Sequence, residues 1–131
     1  YVLGEGRYGF FLEFDRGTMN TRDYRTKVDN YYRNRGAGHF AETYGSFPHV
    51  LFVTASDAAE KRFGRVAQAA SAGQPPLRMW LTTMWRVQDP ANRYGLIGRI
   101  WRTPGEPFEQ REWWPPRRGA LPQARITRAH A

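Results

Sequence analysis

A short, uninterrupted apolar run near the middle of the chain most constrains its fold. From Val50 to Val53 the chain consists only of Val, Leu and Phe, and Pro48 precedes the run. Such a run is typical of a strand that is buried on both faces of a parallel sheet. Helical spacing lies on both sides of it, and further strands are predicted before and after. That alternation predicts an α/β fold, a mixed sheet with parallel βαβ units and right-handed crossovers.

Capping and helix-ending residues place the other elements. Thr18, Asn20 and Thr21 are candidate N-caps for the first helix, and Ser56 and Asp57 for the second. In chain order we predict an antiparallel strand pair at 1–3 and 7–14, a helix at 20–35, a strand at 47–55, a helix at 57–72, a strand at 77–83, a short element at 84–87 and an edge strand at 95–102. We therefore expect one α/β domain over residues 1–102.

The last part of the chain has a different composition. Residues 103–131 are rich in Pro, Arg and Trp. We expect irregular structure there that fades into disorder. The chain opens on Tyr1, close to its first strand, so we also expect it to be part of a longer protein.

Composition excludes several classes of protein. With 131 residues and 40% apolar side chains, the chain is long enough for one core. It has no Cys, so disulfides and thiolate zinc sites are excluded, and a cytoplasmic location is favoured. No apolar run approaches the roughly 20 residues that span a bilayer, so no membrane partner is expected.

The charge balance favours a polyanionic partner. The formal net charge is +8, from 20 basic residues, nearly all of them Arg, against 12 acidic ones. Such a surface suits nucleic acid. The alternative is an ordinary solvated surface, since the Arg residues are spread along the whole chain and Arg-rich usage can follow from a GC-rich genome.

Chemistry is suggested at one place, the end of the strand at 7–14. Side chains alternate along a strand, so Glu13 and Asp15 share one face while Leu12 and Phe14 take the other face into the core. Two carboxylates at a strand end can hold Mg²⁺. Lys27 lies on the inward side of the following helix and can reach back toward them.

Two acids and a lysine are the minimum for metal-assisted hydrolysis of a phosphodiester. The alternative is structural: acids are common at strand ends, the turn after Asp15 can account for that residue, and Lys27 can lie on a solvated face.

Other catalytic classes find no support. His39, His49 and His130 lack the spacing of a metal-binding pair, and we expect His49 to lie at the rim of the sheet. There is no Gly-x-Ser-x-Gly elbow and no Gly-x-x-x-x-Gly-Lys loop, so serine hydrolases and P-loop proteins are disfavoured.

Several segments together resemble one known family. They are Phe11-Leu12-Glu13-Phe14-Asp15-Arg16-Gly17-Thr18, Lys27 with Tyr31, Pro48-His49-Val50-Leu51-Phe52-Val53-Thr54, Leu81-Thr82-Thr83 and Gly98-Arg99-Ile100-Trp101. In these segments, which span most of residues 8–102, the chain resembles the replication-relaxation family of plasmid and mobile-element proteins. Members of that family combine an N-terminal winged-helix DNA-binding part with a C-terminal part similar to the PD-(D/E)xK nuclease core.

The resemblance implies a three-layer, restriction-endonuclease-like fold and a DNA-associated role in replication or relaxation. Glu13 would match the central acid of the nuclease motif, and Asp15 stands where that motif has a lysine. Lys27 would then be a displaced lysine, and the site would be that of a Mg²⁺-dependent endonuclease. The winged-helix part and an upstream Pro-Asp motif are not in this sequence.

The alternative is an inactive scaffold that contacts DNA or replication and transfer proteins. In that case the acids are structural, and the chain contacts phosphates through Arg side chains. The candidate nucleic-acid contacts are Arg16, Arg62, Arg65, Arg99 and Arg102.

Overall fold

The structure is a computed structural model that describes residues 2–3, 8–38, 47–113 and 126–127. Its elements are β1 (Val2–Leu3), β2 (Tyr8–Phe14), α1 (Thr21–Ala37), β3 (His49–Thr54), α2 (Asp57–Ala70), β4 (Met79–Thr83), α3 (Met84–Gln88), a 3-10 turn (Gly95–Ile97), β5 (Trp101–Thr103), β6 (Glu106–Arg111) and β7 (Ile126–Thr127). In this part of the chain the strands follow the order β6-β5-β4-β3-β2-β1-β7. The fold is mixed α/β, as predicted.

The centre of the sheet is parallel. β2 pairs with β3 from Phe10↔His49 to Phe14↔Val53, and β3 pairs with β4 from Val50↔Met79 onward. All six residues of β3 are buried. This confirms the strand predicted from the apolar run and its parallel neighbours. β1 pairs antiparallel with β2, also as predicted.

Both long helices cover one face of this sheet. Their buried side chains form a single core with Phe52 of β3, whose ring stacks on Phe63 of α2 with centroids 3.9 Å apart. The helices begin where the sequence indicates, at the N-caps Asn20 and Ser56. Asn20 forms a capping box with Asp23, which satisfies two backbone N–H groups at the start of α1.

The C-terminal half departs from the predicted layout. The edge strand predicted at 95–102 is a 3-10 turn followed by β5, and β5 is not an edge, because it pairs with both β4 and β6. β6 lies where irregular structure was expected. Its backbone hydrogen bonds come from folding back across the turn at Pro104 and Gly105, and such pairing leaves no mark in hydrophobic spacing. The disorder expected after β6 was predicted for residues that lie mainly outside the described part of the chain.

None of the described helices is both long enough and apolar enough to cross a membrane.

The second face of the sheet has its own core, and His49 is part of it. The imidazole is 8% exposed, so the prediction of a rim position is wrong. Trp80 donates its indole N–H to His49 Nδ1 at 3.0 Å, and the Trp113 ring contacts the imidazole edge-on. Because Nδ1 must keep a lone pair to accept this bond, the fold holds the neutral imidazole. Burial, helped by the charge of Arg78, lowers the pKa of His49 to about 4.

This pKa predicts an acid-sensitive fold. Between pH 6.5 and about 4 the unfolded chain protonates His49 and the folded chain does not, so the free energy of unfolding should fall as pH falls through this range. The whole effect should be about 3 kcal/mol.

Urea unfolding of the wild type and of His49→Asn, followed from pH 7.5 to 4, would test this prediction. Asn keeps an acceptor for Trp80 and does not titrate, so the variant should lose less stability on acidification. Parallel losses in the two proteins would contradict the prediction.

Candidate functional site

The two acids predicted at the end of β2 emerge on the side of the sheet that α1 covers. Glu13 is level with Phe52, a member of the core beneath the helices. Asp15 comes just after β2, and its backbone N–H donates to the Val53 carbonyl at 2.8 Å. Both carboxylates bind side chains of α1. The prediction that they share a face is therefore confirmed.

The opposite face of β2 agrees with the prediction only in part. Leu12 packs against the second core, but Phe14 is 53% exposed. Phe14 is the last residue of β2, and it is not among the described residues that form the second core or pack against it. The alternation of side chains correctly predicted the face of the sheet from which Phe14 projects, but not that this side chain would be exposed.

Glu13 is held by two donors from α1. Lys27 Nζ lies 2.6 Å from Oε2, and the Tyr31 hydroxyl donates to Oε1. Both charged side chains are about 30% exposed, at 31% for Lys27 and 29% for Glu13. The predicted approach of Lys27 to the acids is confirmed for Glu13. Sequence reasoning placed Tyr31 on the same stripe of α1 but missed it as a partner.

Asp15 is in a different environment, because it is only 3% exposed. Its Oδ2 accepts from the Tyr24 hydroxyl, and its Oδ1 accepts from the Gly17 backbone N–H at 2.9 Å. Gly17 has φ +90°, a conformation that other residues rarely adopt. Asp15 therefore both organises the turn after β2 and anchors the first turn of α1.

The two tyrosines remain protonated over the whole physiological range. Burial, and then the hydrogen bond to Asp15, raises the pKa of Tyr24. Burial, and then the hydrogen bond to Glu13, raises the pKa of Tyr31. Each hydroxyl is thus a permanent donor to its carboxylate, and neither is suited to act as a base near neutral pH.

These contacts bear on whether the acids could hold a metal ion. All four carboxylate oxygens of Glu13 and Asp15 already accept hydrogen bonds from the protein. Mg²⁺ prefers six oxygen ligands, and at this site it would compete with Lys27 and Tyr31 for the oxygens of Glu13. Glu13 adjoins a cleft of about 350 Å³ and could exchange partners there, whereas Asp15 is enclosed. The described residues contain no group of three His, Cys, Asp or Glu side chains arranged around a common point.

The five predicted nucleic-acid contacts lie at different places. Arg16 is exposed in the turn after β2, and Arg62 and Arg65 are exposed on α2. Arg99 is exposed but donates to the Gln110 carbonyl at 3.2 Å. Arg102 on β5 is 23% exposed and approaches Glu60. Arg65 and Arg102 line a groove between α2 and β5, and the other three do not line it.

A buried ion pair lies at the N-terminal end of α2. The sequence suggests that Glu60 belongs to the outer face of this helix, but Glu60 is 4% exposed. Arg86 binds both of its oxygens, at 2.5 and 2.9 Å, and also reaches Asp57 at 3.1 Å. The only signal in the sequence was the position of Arg86 three residues after the end of β4, which does not specify a partner.

The chain matches no protein-family model, no curated protein and no solved structure. Its membership of the replication-relaxation family therefore stays a prediction based on the residues quoted above.

The hydrogen bonds to the two acids should differ in their effect on stability. Tyr24→Phe removes a donor from a buried carboxylate and should lower the free energy of unfolding by about 1–3 kcal/mol. Tyr31→Phe should cost less, about 1 kcal/mol or below, because Glu13 keeps Lys27 and contacts water. Urea unfolding followed by Trp fluorescence measures both.

Tyr94→Phe is the matched control, since Tyr94 is 54% exposed. Equal stability of the Tyr24→Phe and Tyr94→Phe proteins would show that the Asp15 bond is not a structural anchor.

Proposed function

We propose that this chain is a DNA-associated module of plasmid or mobile-element replication and relaxation, and that it binds DNA through phosphate contacts without reading its sequence. The layer formed by α1 and α2, called the two-helix layer below, carries the main contacts. The resemblance of residues 11–18 to the replication-relaxation family supports the biological setting. The parallel order β2-β3-β4 with an acid at the end of β2 is compatible with a three-layer, restriction-endonuclease-like fold.

The observation that carries the proposal is how the charges are distributed. The exposed cations of the two-helix layer are Arg22, Arg25, Arg33, Lys61, Arg62 and Arg65. No ion pair in the described part of the chain involves any of them.

The helices themselves carry fewer acids than bases. In α1 and α2 four acids, Asp23, Asp29, Asp57 and Glu60, stand against eight basic residues, and Asp57 and Glu60 bind the buried Arg86. The two-helix layer therefore keeps an excess of positive charge. A surface of that kind attracts phosphates and releases their counterions.

Binding to a duplex should depend steeply on salt. We expect the affinity of the protein for a fluorescein-labelled duplex, measured by anisotropy, to fall by orders of magnitude between about 50 and 200 mM salt. The double variant Arg62→Gln/Arg65→Gln should reduce the slope of log K against log salt by about 2.

Arg93→Gln is the control for charge alone. Arg93 is exposed and lies just before the 3-10 turn, whose Leu96 and Ile97 pack on the opposite face of the sheet. Its removal should leave the slope nearly unchanged. Absence of binding at the lower salt, or an equal effect of both sets of variants, would contradict the proposal.

A second candidate function is favoured by one contact, the 2.6 Å approach of Lys27 to Glu13. A carboxylate beside a lysine is the pair that a Mg²⁺-dependent endonuclease of the PD-(D/E)xK kind requires. In this candidate Glu13 would be the principal ligand of the ion, Asp15 a second one, and Lys27 would stabilise negative charge on the phosphate. The bound ion would supply Lewis acidity at the scissile phosphate.

The two candidates differ in what Mn²⁺ does to stability. If Glu13 holds a metal, millimolar Mn²⁺ should raise Tm, because a ligand bound only by the folded chain stabilises it. Lys27→Met should enlarge the shift, since it removes the cation that competes for Oε2, and Glu13→Ala should abolish it. Calorimetry of the three proteins with and without Mn²⁺ tests this. A Tm that does not respond in the wild type or in Lys27→Met would leave the DNA-binding module as the surviving function.

A further inference from the structure

A groove of about 750 Å³ lies between α2 and β5, away from the Glu13 site. One wall is a side of α2, the other is the end of β5 with the turn that follows, and Leu81 of β4 lies between them. A volume of this size is typical of small-molecule sites and is far too small for a duplex.

Three cations and two carboxylates face this groove, and both carboxylates, Asp57 and Glu60, bind Arg86. Lys61 and Arg65 lie four residues apart on α2, so they project from the same side of the helix, and Arg102 stands on the opposite wall. Neither Lys61 nor Arg65 has an ion-pair partner among the described residues. The groove therefore offers at least two uncompensated positive charges above an apolar floor.

Arg102 is only loosely engaged. Its contact with Glu60 is 3.4 Å long, whereas Arg86 already holds both oxygens of Glu60 at 2.5 and 2.9 Å. Within the described part of the chain, Arg102 Nε is buried and has no hydrogen-bond partner. A buried donor left unpaired costs free energy, so the contact with Glu60 does not satisfy Arg102 completely.

The groove remains open because residue 64 is a glycine. A Cβ at Gly64 would lie 3.4 Å from Leu81 Cδ1, so a larger side chain would be forced over the floor of the groove. A glycine lowers the stability of a helix, but at position 64 it leaves space in the groove for a ligand.

We propose that this groove binds one unpaired nucleotide of single-stranded DNA, an inference that rests on the proposed DNA-binding function and deepens it. The phosphate contacts Lys61, Arg65 and Arg102, and the base lies against Leu81 and Pro104. Bases outside a duplex are held in this way, by cations at the phosphate and apolar contact at the ring face.

An acidic peptide is less well suited to the groove. Extended peptides bind by adding a strand to a free sheet edge, but β4 and β5 are each paired on both sides. The groove therefore offers side-chain contacts but no unpaired strand edge. A nucleotide can be bound by side-chain contacts alone.

The test separates binding to a strand from binding to a duplex. Anisotropy is measured with a labelled thymidine strand and a labelled duplex, each of about 12 units, for the wild type, Gly64→Leu and Ala69→Leu. Both variants put apolar bulk into the groove and leave every charge in place. Ala69 is exposed, so its variant should fold even if Gly64→Leu disturbs α2. Affinity for the strand should fall about tenfold or more, and affinity for the duplex should change less than about twofold.

Gly36→Leu and Ala37→Leu are the matched controls, because they make the same changes in the last turn of α1, outside the groove. They should affect neither ligand. The proposal is overturned if the groove variants bind the strand like the wild type, if they lose strand and duplex equally, or if an oligoglutamate peptide displaces the strand as well as unlabelled strand does. Salt-dependent duplex binding in the same series would show that the proposed function stands although the groove assignment fails. Absence of binding to either DNA would remove both.

Discussion

The structure depends on the requirement that a buried carboxylate be hydrogen-bonded. Asp15 is almost fully enclosed where β2 ends, and leaving it without donors would cost several kcal/mol. Tyr24 and the backbone of Gly17 meet that requirement. In doing so they fix the turn after the strand and the position of α1 on the sheet. Glu13 repeats the arrangement further along the helix, through Lys27 and Tyr31. The motif that most suggests chemistry is thus also a polar link between the sheet and α1.

This double role explains why the two candidate functions are hard to separate by inspection. The donors that a nuclease would use to handle a phosphate are the same groups that hold α1 in place. Exposure distinguishes the two acids: Glu13 adjoins a cleft and could change partners, whereas Asp15 is enclosed. Inside the protein, Glu13 is paired with Lys27 and Glu60 is paired with Arg86. Other cations remain at the surface without an ion-pair partner among the described residues, and on these the proposed binding of DNA rests.

Sequence patterns predicted the parts of the fold that local forces decide. The apolar run of β3, the capping residues Asn20 and Ser56, and the alternation that places Glu13 and Asp15 on one face all correspond to the structure. Sequence patterns failed where the burial or pairing of a residue depends on a partner that is distant along the chain. Phe14 is exposed although alternation predicted it in the core, and Glu60 is buried because Arg86, 26 residues later, binds it. β6 forms because its backbone pairs with that of β5. Hydrophobic spacing contains none of this information.

The capping of α1 limits where residues can be inserted in this region during evolution. Local residues determine both ends of the helix: Asn20 and Asp23 at its start, and Gly38, with φ +79°, at its end. A residue inserted between Tyr24 and Lys27 would turn everything beyond it by about 100°, so Lys27 and Tyr31 would point away from Glu13 while Tyr24 stayed in place. An insertion in the turn before Asn20 carries no such rotation, because the cap re-forms at the same helical residue. Length variation among relatives of this chain should therefore be tolerated in the turn before the helix and excluded from its first three turns.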